Sequence, residues 1–273
     1  MKRILSAVLS LLLLVSLAHP VQAAVQADRR PDGEMNVFLL ERGFPADYVE
    51  GLTPQQVEDL YYLAYKNHAY YLSTTEQPVI QPYGNIPSDQ LYFGITCLCS
   101  YKKTGGVTYI DEVFVYISYN WDTLPAIRKI DAIAVNWDSN ILVYNGKFTA
   151  KDLAFSLQKN AWITYKTWDR PATIAQGGLG IYTYIDYAET TLGTSFPATG
   201  LQGSVTFSLK PKSDYTMEVG QRDRTSVGCE YVHDKNPLVS SVSFTYQGVW
   251  VYVDVGLMQD KAGTNTQINY IKH

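Results

Sequence analysis

From Leu91 onward the chain repeats its apolar residues at every second position, the period of a strand with one buried face. Leu91, Phe93, Ile95, Cys97, Cys99 and Tyr101 share one face of the first such segment, and Tyr92, Thr96 and Ser100 share the other. Val113, Val115, Ile117 and Tyr119 alternate in the next. The turn Lys102-Lys103-Thr104-Gly105-Gly106 between the two makes them a hairpin. The same reading places strands over 130–137, 141–144, 162–168, 181–187, 204–210, 227–233, 239–246 and 249–255, with Gly177-Gly178-Leu179-Gly180 as a turn. Long helices do not alternate with these segments. About ten short strands with turns between them predict an antiparallel β-sandwich, or a flattened barrel, over residues 91–273.

Upstream the period changes to that of a helix. Met35 to Arg42 has helical spacing and ends at Gly43, a C-terminal cap residue. Thr53 is placed as an N-cap, Pro54 as the first helical residue, and Gln56 completes a capping box. Val57, Leu60, Tyr61 and Ala64 then form one apolar stripe, so a helix is expected from Pro54 to about Asn67. Residues 35–72 therefore read as short helices forming a cap or docking module. Residues 24–34 read as a flexible tether, and Pro78, Pro82, Gly84 and Pro87 mark 73–90 as a linker or long loop.

The first 23 residues have the make-up of a secretory signal peptide: Lys2 and Arg3, an apolar run from Ile4 to Leu17, and small residues up to Ala23. The run has 14 residues, short of the ~20 that span a bilayer as a helix. Secretion, with cleavage near Ala23, is the expectation, and no transmembrane segment is expected after cleavage. The formal net charge of the whole chain is −4, and loss of Lys2 and Arg3 makes it −6. With no basic cluster, nucleic acid is not an expected partner.

Motifs of cofactor and metal chemistry are missing. Only His68, His233 and His273 follow the leader, too few for histidine ligation of a metal, and no phosphate loop follows a parallel strand. Neither a cofactor nor a metal is expected. Cys97 and Cys99 share a strand face about 6.6 Å apart with parallel side chains, poor geometry for bridging each other. Three readings stay open: buried thiols, a disulfide from Cys97 or Cys99 to Cys229 that an exporting cell would allow, or a reactive thiol. The near-repeats Asn120-Trp121-Asp122-Thr123 and Asn136-Trp137-Asp138-Ser139 read as strand exits, each Trp plugging the edge of the sandwich.

The most suggestive surface segment is Trp162-Ile163-Thr164-Tyr165-Lys166-Thr167-Trp168. Simple alternation puts Trp162, Thr164, Lys166 and Trp168 on one side, where two indoles with polar residues between them suit ring stacking. The leading reading is a secreted, non-catalytic β-sandwich that binds a glycan or protein partner at a cell surface or in the medium. A secreted carbohydrate-active hydrolase is an alternative, since a glycosidase needs only two carboxylates across a cleft; Asp186, Glu189, Asp214, Glu218, Glu230 and Asp254 are the candidates. A membrane-acting, toxin-like protein is the third, from the Ser/Thr–apolar alternation of 204–210 and 240–246. Export is directly checked by N-terminal sequencing of the product from an exporting host: the expected mature chain starts at Ala24, and a product that keeps Met1 refutes it.

Overall fold

The computed structural model describes residues 32–76, 86–87, 89–191, 194–235, 243–247, 250–254 and 259–272. The leader, most of the tether, most of the proline-rich segment and parts of the strands expected over 239–255 lie outside them. The chain divides into two compact units, Met1–Tyr61 and Tyr62–His273. Among the described residues no helix is long and apolar enough to cross a membrane.

Three helices come first: α1 (Asp32–Glu41), α2 (Ala46–Gly51) and α3 (Pro54–Asn67). Gly43 ends α1 with φ +86°, and the Phe44 N–H donates back to the Leu39 carbonyl at 3.2 Å. The capping box forms as the sequence predicts. The Thr53 N–H donates to Gln56 Oε1 at 2.8 Å, and the Gln56 N–H donates to Thr53 Oγ1 at 3.3 Å.

Fifteen strands follow among the described residues: β1 (Tyr70–Glu76), β2 (Leu91–Thr104), β3 (Val107–Trp121), β4 (Ile130–Trp137), β5 (Leu142–Ser156), β6 (Ala161–Trp168), β7 (Thr173–Ala175), β8 (Gly178–Tyr184), β9 (Ala188–Thr191), β10 (Thr194–Pro197), β11 (Leu201–Pro211), β12 (Met217–Asp234), β13 (Ser243–Gln247), β14 (Trp250–Asp254) and β15 (Gln259–Lys272). Eleven of them form one antiparallel sheet curled into two layers. The front layer runs β1-β2-β3-β11-β5-β6 and the back layer β15-β12-β4-β8-β7. A single ladder pair, Glu218 with Tyr109, joins β12 to β3 and carries the sheet from one layer to the other. The remaining strands form the hairpins β9–β10 and β13–β14. The expected sandwich class is therefore what the chain adopts, in a half-barrel form.

Alternation explains the core. Ile95, Cys97, Val115, Ile117, Val205 and Phe207 of the front layer and Ile133, Val135, Leu179, Ile181, Val227 and Cys229 of the back belong to one buried apolar cluster. All three cysteines are buried free thiols in this structure. Burial pushes each thiol upward, Cys99 to about 11, so little thiolate is present near neutral pH. Trp121 and Trp137 end β3 and β4 and are buried, as strand exits should be. The β2–β3 turn uses Gly105 and Gly106, both at positive φ, as in a type I′ hairpin turn.

The structure also lengthens and adds strands. Gly178, Leu179 and Gly180 are not a turn but pair with Asn136, Val135 and Ala134 of β4. β15 was unexpected because its inward face is partly threonine: Ala262, Thr264, Thr266, Ile268 and Tyr270 are all buried. Gly203 on β11 lies in register with both Tyr119 of β3 and Asp152 of β5. A Cβ there would stand 2.4 Å from the Tyr119 ring, so the glycine is what lets that ring lie across β11. Gly203→Ala should lower stability by about 1–3 kcal/mol through overpacking, read as a reduced denaturation midpoint. An unchanged midpoint contradicts the packing described.

Candidate functional site

The inward alternation that fills the core with aliphatic groups brings polar residues together at one end of it. Asp131 of β4, Asp152 of β5, Thr183 of β8 and Tyr231 and His233 of β12 are all buried. A carboxyl so placed must find hydrogen bonds inside the protein. Asp131 accepts from the Tyr231 hydroxyl at 2.7 Å and lies 2.9 Å from His233 Nδ1. Tyr231 in turn accepts from Trp121 Nε1 at 3.1 Å and lies 3.3 Å from Thr183 Oγ1. Its ring meets those of Phe93, Tyr119 and Trp121 at 5.3–6.0 Å.

Asp152 is the second centre. Tyr119, crossing Gly203, donates its hydroxyl to Asp152 Oδ1, and the Tyr184 N–H donates to Oδ2 at 2.7 Å. The Tyr165 hydroxyl donates to the carbonyl of the same Tyr184. The two peptide groups that flank the Tyr184 Cα, in the back layer, are thus each held by a side chain of the front layer. Burial pushes the Asp152 carboxyl up to about 8, opposed by the bonds from Tyr119 and Tyr184. Burial also raises Asp131, against the lowering effect of His233 and Tyr231.

The held Tyr184 builds the rim. Its ring stacks on Trp168 with centroids 5.8 Å apart and planes 17° from parallel, and the Lys166 Nζ lies 4.8 Å from its centroid. Trp168 opens onto a pocket of about 440 Å³ that is also lined by Arg170, Pro171, Ala172, Ile181 and Tyr182. The segment after β6 turns back onto β8, where the Ala172 N–H donates to the Gly180 carbonyl at 2.8 Å. No carboxylate is among these lining residues.

The four surface residues expected to share one face do not. A bulge in β6 leaves Tyr165 as an extra residue against β5: Asp152 pairs with Lys166, while the next residue, Leu153, pairs with Thr164. Ladder partners share a face. Lys166 and Trp168 therefore lie on the core side with Asp152 and Ala150, and Trp162 and Thr164 lie on the other side with Phe155 and Leu153. Trp162 packs edge-on against Phe155 at 5.7 Å, with its indole over Gly200. The carboxylates weighed for hydrolysis are dispersed. Glu230 pairs with Lys261 at 2.9 Å, and Glu189 accepts the Gln158 N–H at 3.3 Å. Asp186 and Asp214 are exposed, and the side chain of Asp254 lies outside the described residues. The buried His233 lies against Asp131. Among the described residues no cluster of histidine, cysteine and acids is placed to hold a metal.

The buried Asp152 makes stability depend on pH. Its value rises from an ordinary 3.8 to about 8, so the folded state binds the proton more tightly than the unfolded chain. The resulting stabilisation is complete below 3.8 and is lost as pH rises to about 8. Asp152→Asn keeps an acceptor for the Tyr184 N–H but carries no titrating group. Melting temperatures measured from about pH 4 to about pH 8 should fall less steeply in the variant, the remaining slope coming from Asp131. Identical slopes refute this assignment.

No protein-family model and no curated protein matches the chain. Among solved structures it is similar to AvmM, described as catalysing macrocyclization in alchivemycin A biosynthesis, with 11% identity, a TM-score of 0.25, and coverage of 63% of this chain and 96% of that one. A family 29 carbohydrate-binding module is similar over 50% of this chain and 88% of its own, with 8% identity and a TM-score of 0.21. The collagen-binding domain of the Erysipelothrix rhusiopathiae surface protein RspB is similar over 64% of this chain and 66% of its own, with 10% identity and a TM-score of 0.24. Likeness at this level assigns neither a family nor a function.

Proposed function

We propose that this chain is an exported, non-catalytic β-sandwich that binds a glycan in the pocket at Trp168. The observation that carries the reading is the pocket itself. A flat indole forms one wall, Pro171, Ala172 and Ile181 add apolar surface, and Arg170 and Tyr182 add polar tips. A sugar ring has matching chemistry: C–H groups on its faces that lie against an indole, and hydroxyls at its rim that seek donors and acceptors. The volume of about 440 Å³ suits a small-molecule site, typically about 300–1,000 Å³. Trp168 is also pre-positioned, because the ring it stacks on belongs to a residue whose N–H and carbonyl are both held by side chains. A wall fixed before binding costs little ordering entropy when the ligand arrives.

Export rests on the leader-like first 23 residues. The test is retention of the full-length chain on a panel of insoluble polysaccharides. Trp168→Ala should weaken retention by about tenfold or more, the scale of losing a central aromatic anchor. Trp162→Ala, altered on the opposite face of β6, should leave it unchanged. Absence of retention on every polysaccharide, or loss with Trp162→Ala alone, overturns the reading.

A further inference from the structure

We infer that the ligand of this pocket is acidic, a uronic-acid polysaccharide whose carboxylate seats on Arg170; the inference rests on the glycan reading above. Arg170 lines the pocket beside Trp168. Arg128, by contrast, donates to the carbonyls of Pro125 and Ala198 at 3.0 and 2.8 Å, and Arg224 Nη1 donates to Gln267 Oε1 at 3.5 Å. Arg170 makes no hydrogen bond or ion pair with any described residue. Its planar guanidinium presents paired donors that match the two oxygens of a carboxylate.

A second uncompensated cation stands close by. Lys102, Lys147, Lys235 and Lys261 each have an acidic partner within 3.5 Å. Lys166 instead projects over the Tyr184 ring, on which Trp168 stacks. Asp152, its ladder partner, is buried and bonded to Tyr119 and Tyr184, and its raised value keeps much of its charge off at neutral pH. Asp169 and Asp186 are exposed and neither lines the pocket. A chain with more acids than bases thus keeps an unpaired guanidinium at an aromatic wall, with an ammonium one ring away. A neutral sugar would use the indole and leave both charges idle. A uronate uses the indole, the fork of Arg170 and the field of Lys166 together.

The experiment is calorimetric titration of the full-length chain with polygalacturonate and alginate oligomers, and with neutral cello- and galacto-oligomers of equal length. The acidic oligomers should bind about tenfold or more tightly, with affinity falling as salt is raised. Arg170→Gln should remove that preference while Trp168→Ala weakens both classes, circular dichroism confirming that each variant is folded. Equal affinity for neutral and acidic oligomers, or a preference that survives Arg170→Gln, overturns the inference and leaves the glycan reading standing. Binding of neither class, where neutral polysaccharides also fail, overturns both.

Discussion

Two carboxyl groups placed where no water reaches are the constraint on which this sandwich turns. Apolar contact holds its layers together without direction, and many relative positions bury similar area. Asp131 and Asp152 remove that freedom. Each must be given donors: Asp152 of the front layer takes them from Tyr119 in its own layer and from the Tyr184 N–H of the back layer, and Asp131 takes them from Tyr231 and His233 on the neighbouring strand β12. The bond from Trp121 to Tyr231 crosses between layers as well. A slip of either layer would strand a buried polar group, which costs far more than a lost aliphatic contact.

The same bonds set the rim. Tyr184 is the last residue of β8, an end that would otherwise be free to fray. Asp152 holds its N–H and Tyr165 its carbonyl, its ring supports Trp168, and Trp168 walls the pocket. The chain of cause runs from an absent side chain at Gly203, through a tyrosine laid across it, to an indole at the surface. Rigidity at the pocket wall is thus inherited from the core.

Much of this was legible in the residues. Alternation gave β4, β6 and β11 within a few residues and the second half of β3, and the helix start at Thr53 followed from three side chains. Asp131 could be placed inward too, since it shares parity with Ile133, Val135 and Trp137. Asp152 could not, because β5 is broken in pattern by Asn145, Gly146 and Lys147 and reads as a strand only up to Tyr144. The β6 platform failed for a sharper reason. One extra residue at Tyr165 reverses the face of everything on one side of it, and nothing in a single sequence marks where a ladder takes a bulge. Arg170 carries no local signal at all; its place depends on the loop after β6 meeting β8.

The three thiols have a consequence for the life history of the molecule. Cys97 and Cys99 sit on β2 and Cys229 on β12, strands far apart in sequence that meet only in the finished core. Once the layers close, oxidants and exchange partners are shut out with the water. Whatever the sulfurs become is therefore settled by a race between chemistry and collapse, run once for each newly made chain.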